Sequence, residues 1–166
     1  MKIITAPDDI NERVDFSSMI FLAGSIAEGT AENWQNEVMQ KFDDYEDDVL
    51  TVLNPRREEF NTSVKQTIDD PELSEQVNWE LDGMDEAVYI LVHFHPDTQA
   101  PITLLELGLH AKDRFGGLVV CCPDGFYRQG NVEIVCQRYD IPFFKNLDDA
   151  VQCLRNYIDE DHNITR

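Results

Sequence analysis

Continuous apolar runs punctuate this chain. Met19–Ala23 (MIFLA), Val49–Leu53 (VLTVL), Ala87–Phe94 (AVYILVHF) and Gly117–Cys122 (GLVVCC) carry no polar alternation. A strand covered on both faces reads this way, whereas a half-exposed strand alternates. Ile141–Phe144 is a short fifth candidate strand. Lys2–Thr5 (KIIT), ended by Pro7, is either an edge strand or an ordered tail, and Asp8–Ser18 reads as polar linker. Between the runs the period changes to that of helices. Thr30 is an expected N-cap, followed by a stripe of Trp34, Val38, Met39 and Phe42. Pro71 opens a helix to about Asp85, with Leu73, Val77, Leu81 and Met84 predicted on its buried face. Pro101–Ala111 (PITLLELGLHA) is apolar nearly all round, which predicts a fully buried helix. Asn131–Tyr139 and Leu147–Ile158 are the remaining helices. Glu58–Asp70 lacks a period and reads as a surface excursion.

Strands alternating with helices predict an α/β fold with right-handed crossovers. The expected architecture is one domain over residues 1–166: a flavodoxin- or Rossmann-like three-layer sandwich, with a mostly parallel five-stranded sheet and helices on both faces. Such sheets bind ligands at the carboxyl ends of their strands, near the reversal in strand order. That rule selects Gly24–Gly29, Asn54–Arg57 and His95–Pro101.

Composition narrows the partner. With 166 residues and a net charge of -20, the chain is poorly suited to a nucleic-acid polymer or an anionic membrane. The four cysteines lack metal-ligand spacing. Cys121 and Cys122 adjoin in an apolar run and are expected on opposite faces of a buried strand as free thiols. With no basic, apolar leader and no run long enough to span a bilayer, the expected location is cytoplasmic.

Glu106 is the only acid in the Pro101–Ala111 run. It is either a wet-edge carboxylate paired at i, i+4 with His110 or a catalytic carboxylate in a partly dry pocket. Gly108, two residues on, leaves room for close approach of another backbone or a ligand. Gly24-Ser25-Ile26 is either a plain strand-to-helix turn or a short phosphate or ribose loop. Asn54-Pro55-Arg56-Arg57 sets two guanidiniums at a strand end, as a surface basic pair or as recognition of a polar or anionic group. Trp79 and Glu80 adjoin on a helix, where an acid is ordinarily solvated. His93 and His95 form an HxH pair without a third ligand, and no triad signature occurs.

Four landmarks in order, IFLAGSI (Ile20–Ile26), NPRR (Asn54–Arg57), QVNWELDGMDEA (Gln76–Ala87) and PITLLELG (Pro101–Gly108), resemble the nucleoside 2-deoxyribosyltransferase-like family. The chain is more distantly similar to deoxynucleoside monophosphate N-glycosidases. The resemblance implies cleavage or exchange of the base of a 2′-deoxynucleoside or related nucleotide, without a cofactor or metal. Glu106 matches the family's nucleophilic glutamate, and Glu80 falls where other members carry an aspartate that contacts or protonates the base. The substrate-binding set expected with this pair is Phe21, Gly24, Ser25, Asn54, Arg56, Arg57, Trp79, Asp97 and Asn131. Phe21 stands where a tyrosine is expected, Ala27 where monophosphate-specific relatives have an arginine, and Val88 where many have an acid. The resemblance also implies a homo-oligomer, with Phe126–Asn131 reaching a neighbouring subunit's site. The competing expectations are a non-catalytic module that binds a nucleotide or NAD-like ligand, and an NAD-type glycohydrolase.

Overall fold

The computed structural model describes residues 1–15, 17–26, 33–57, 61, 63–112 and 117–163. The described strands are β1 (Lys2–Thr5), β2 (Ser18–Gly24), β3 (Leu50–Asn54), β4 (Tyr89–His93), β5 (Leu118–Cys121) and β6 (Phe143–Phe144). The helices are α1 (Trp34–Gln40), α2 (Pro71–Glu86), α3 (Pro101–His110), α4 (Gln129–Arg138) and α5 (Leu147–Asp161). All strand pairs are parallel, in the order β1-β3-β2-β4-β5-β6. The sheet therefore has six strands, not five. KIIT is the sixth, an edge strand held by parallel pairing of Lys2–Thr5 with Thr51–Asn54.

Side-chain alternation along β2 divides the core. Phe21 and Ala23 point to the α2, α3 and α4 side, with Trp79, Met84, Leu107, Val132 and Cys136. Ile20 and Leu22 point to the α1 and α5 side, with Trp34, Val38, Val151, Leu154 and Ile158. Cys121 and Cys122 fall in opposite layers, as the strand period requires, and the cysteines are free thiols. Among the described residues no helix is long and apolar enough to cross a membrane.

Three helix expectations need correction. Thr30 lies outside the described residues, and the side chain that caps α1 is that of Asn33, accepting from the Asn36 N–H at 3.1 Å. The buried side of α2 is Trp79, Gly83 and Met84; Val77 and Leu81 are exposed. Gly83 is the reason. A Cβ there would meet the Phe21 ring at 2.9 Å, so α2 approaches the sheet through its glycine rather than its leucines. Helix α3 is not buried all round: Thr103, Glu106 and Leu107 face inward, while Ile102, Leu105 and Leu109 are 60%, 59% and 52% exposed. The segment 8–18 is also more than a polar linker, since a 3-10 turn at Ile10–Glu12 buries Ile10 in the core.

From β2 the chain crosses to β3 on one side, then returns past β2 to β4 on the other. The strand order thus reverses between β2 and β4, and their carboxyl ends flank the crevice where such sheets bind ligands.

Candidate active site

A cavity of about 640 Å³ opens at that reversal point, a size that suits a small organic ligand. Its wall combines the end of β2 (Ala23–Ile26), Pro55 and Arg57 after β3, one side of α2 (Glu72–Glu80), and Asp97–Glu106 running into α3. Five charged residues are among these: Glu72, Glu80, Asp97, Glu106 and Arg57.

Close packing sets the β2 end. A Cβ on Gly24 would lie 2.6 Å from the His93 carbonyl oxygen and 2.6 Å from Trp34 Cζ2. Gly24 is required because there is no space for a side chain. The Trp34 indole N–H donates to the Ser25 carbonyl oxygen at 3.2 Å, fixing the next residue. Ser25 Oγ then meets Thr98 Oγ1 at 2.7 Å, and Thr98 Oγ1 donates to the His95 carbonyl at 3.0 Å. Each hydroxyl has one proton. With Thr98's committed to His95, Ser25 donates to Thr98 and retains acceptor lone pairs.

After β3, Asn54 Oδ1 accepts from the Arg56 N–H at 3.1 Å, so the asparagine shapes the loop from a buried position. Arg57 lines the cavity but is engaged, donating to Gln76 Oε1 and, at 2.8 Å, to Glu75 Oε2. Gln76 Nε2 donates to the Pro55 carbonyl at 2.9 Å and to Glu80 Oε1 at 2.8 Å. All the polar atoms of this amide have partners, and it links Arg57 to Glu80. Gln76 is one turn before Glu80 on α2, and sequence reasoning passed over it. The i, i+4 spacing is the signal that could have found it.

At α3, Pro101 occupies the first helical turn, where its missing N–H costs nothing. Ala100 before it sits at φ 43°, ψ 50°, a left-handed conformation that costs a non-glycine residue about 1–2 kcal/mol. This turn brings α3 into the cavity wall and places Glu106 one and a half turns along, buried and facing inward. Burial, then the like charge of Glu80, push the Glu106 carboxyl up to about 8. Burial also raises Glu80, but the Gln76 hydrogen bond and the Arg57 charge oppose that rise.

The structure therefore brings together Gly24, Ser25, Arg57, Glu80, Asp97 and Glu106. It places the other expected residues elsewhere. Phe21 is fully buried, its ring 6.0 Å from that of Trp79, and Trp79 is buried with its indole N–H on the Asp8 carbonyl at 2.7 Å. Both are core. Arg56 is half-buried outside the cavity wall, and Asn131 is exposed on α4. Ala27 lies outside the described residues. His93 is buried against Trp34, ring centroids 4.9 Å apart, and burial holds its imidazole down at about 4. Among the described residues no group of three or more His, Cys, Asp or Glu is placed to hold a metal ion.

Two inward carboxylates on different helices, both with a proton affinity raised by burial, can divide acid and nucleophile roles. A comparison with curated proteins returns no match. Over residues 17–126, which include the end of β2, the Asn54–Arg57 turn, α2 and α3, the chain matches the family model described as nucleoside 2-deoxyribosyltransferase like, and it belongs to that family.

Proposed function

We propose that the protein cleaves or exchanges the base of an uncharged 2′-deoxynucleoside, with Glu106 as nucleophile. The observation that carries this reading is that Glu106 and Glu80 reach one cavity from separate helices, beside the Ser25 acceptor. The ionised Glu106 carboxylate attacks C1′ as the C1′–N bond breaks, forming a glycosyl ester. The bonding pair leaves with the base, which takes a proton from Glu80. Water or a second base then attacks C1′, Glu80 accepts its proton, and Glu106 departs as carboxylate. Carboxylates divide the labour in the same way in retaining glycosidases. Ser25 accepts a hydrogen bond from a sugar hydroxyl. Asp97, in the wall, contacts the sugar, and Asn131 serves only a neighbouring copy.

Charge supports a nucleoside over its 5′-monophosphate. Among the described residues four carboxylates line the cavity against one guanidinium, which already faces Glu75. The lone pairs left on Ser25 accept rather than donate, so they suit a sugar hydroxyl and not a phosphate oxygen.

The test is a chromatographic base-release assay on deoxynucleosides, their 5′-monophosphates and NAD, each with and without a second free base. Glu106→Ala runs alongside. Release or exchange from deoxynucleosides, lost in the variant, supports the reading. Faster turnover of monophosphates refutes the charge argument, and preference for NAD favours a glycohydrolase. A second reading, a binding module without turnover, draws on the proton that Glu106 retains at neutral pH. Tight nucleoside binding without base release across the pH range would establish it.

A further inference from the structure

The side-chain amide of Gln76 can sit only one way round. An amide oxygen accepts hydrogen bonds and its NH2 donates them, so the neighbours decide which end points where. The Arg57 guanidinium can only donate, and its Nε–H meets Gln76 Oε1. The Pro55 carbonyl can only accept, and it takes one N–H of Gln76 Nε2 at 2.9 Å. The other N–H of that nitrogen is left for Glu80 Oε1, 2.8 Å away. Arg57 is itself held, its Nη2 donating to Glu75 Oε2 at 2.8 Å. Gln76 and Glu80 stand one turn apart on α2, whereas Pro55 and Arg57 follow β3, so the chain of bonds ties the acid to the end of the sheet.

We infer that Arg57 and Gln76 are positioning residues: they hold Glu80 Oε1 as a permanent acceptor and make Oε2 the oxygen that carries the working proton. A protonated carboxyl has one carbonyl oxygen, which accepts well, and one hydroxyl, which donates. A fixed N–H donor selects the carbonyl at Oε1, so the proton goes to Oε2. When that proton leaves, Oε1 accepts the same hydrogen bond as before. The carboxyl therefore changes charge without turning. The catalytic use of this arrangement rests on the proposed reaction. There the Oε2–H proton passes to the departing base, which keeps the C1′–N bonding pair. Oε2 then takes a proton from the attacking water or second base. Both transfers occur at one atom in one place, which suits a group that acts first as acid and then as base. The other charges around Glu80 are Glu106 on α3 and, in the same wall, Glu72 on α2 and Asp97 before α3. All are carboxylates, so the Arg57 guanidinium is the charge that opposes them, and it reaches Glu80 through the amide. Arg57 thus acts on the acid and not on the substrate.

Two measurements test the assignment. The first needs no substrate. In native protein labelled with carbon-13 and nitrogen-15, the NMR coupling across the hydrogen bond from Gln76 Nε2 to the Glu80 carboxyl carbon is followed through the titration of that carboxyl. Glu80→Gln identifies the titrating resonance. The coupling is expected on both sides of the titration. Its loss on protonation would put the proton on Oε1 and overturn the inference. The second is the pH dependence of deoxynucleoside turnover in Gln76→Glu and Arg57→Met. Gln76→Glu keeps the shape and the acceptor for Arg57 but replaces the donors with an oxygen. The limb of kcat/KM that falls as Glu80 loses its proton should move to higher pH in both variants. The fall in kcat should be about tenfold, short of the roughly 100-fold or more that a whole general acid contributes, with KM within about twofold of native. A KM raised about tenfold at unchanged kcat in Arg57→Met would make Arg57 a substrate contact and overturn the inference. So would a native kcat and pH profile in Gln76→Glu. A native protein that releases no base refutes the proposed reaction, and the coupling still decides which oxygen holds the proton.

Discussion

Burial raises the proton affinity of Glu106, and Glu80 adds to that rise across the cavity they share. The reaction needs an ionised Glu106 and a protonated Glu80 together, so kcat/KM is expected to pass through a maximum with pH. Replacing Glu80 with Gln removes both the like charge and the donor's titration. The maximal rate should fall, since the base loses its proton donor, and kcat/KM should then only rise with pH, with a midpoint below the native Glu106 value of about 8. A pH–rate profile of both proteins checks this. A variant that keeps the maximum would show that Glu80 is not the titrating donor.

The same group sets a stability signature. Glu106 has a folded-state value of about 8 against an ordinary 4.5, so the folded state holds the proton more tightly than the unfolded one. The resulting stability is complete below pH 4.5 and is lost as pH rises to 8. The loss is on the order of 5 kcal/mol, at about 1.36 kcal/mol per pKa unit. Glu106→Gln cannot ionise and should escape it. Its melting temperature is expected to exceed that of the native chain at pH 8–9 and to match it near pH 4.5. Thermal melts across that range decide the point.

Gln76 is half-buried in the cavity wall and holds three groups at once, so Gln76→Leu should be costly. It leaves the Pro55 carbonyl, one Glu80 oxygen and the Arg57 Nε without their partner. Buried polar groups left unsatisfied cost about 1–3 kcal/mol each. Glu80 also loses the hydrogen bond that lowers its pKa and should move further up. Denaturant unfolding and the pH–rate profile report the two effects separately.

Gly24→Ala should act by overpacking. The added methyl collides with backbone on one side and the Trp34 ring on the other, and crowding of this kind costs about 1–3 kcal/mol. Ser25 shifts with it, so nucleoside affinity should fall more than stability alone explains. Titration calorimetry at a temperature where the variant stays folded measures that part.

Much of the fold was legible because buried strands are continuous apolar runs, and four were found at nearly their observed positions. The edge strand was ambiguous because four residues pair on one side only. The faces of α2 and α3 were misjudged for one physical reason. Hydrophobicity marks residues that avoid water, and it does not distinguish the core from the wall of a cavity or an unpartnered face. Leu73 and Val77 line the cavity, whereas Gly83 packs the core without counting as apolar. Glu106, Ser25 and Arg57 stood out as strand-end or misplaced polar residues, whereas Glu80 was singled out only by the family resemblance. Gln76 and Thr98 did not, because the hydrogen bonds that tie them to Pro55, Arg57 and Ser25 reach residues far off in the chain.

Trp34 belongs to the layer behind the sheet, yet its ring fills the space beside Gly24 and its N–H holds Ser25. The floor of the cavity is thus anchored from the far side of the molecule. Substitutions in α1, chosen as remote from the chemistry, would reach it through the sheet as directly as substitutions in the wall. A survey of variants that ranked positions by distance from Glu106 alone would miss the residues on which that floor is built.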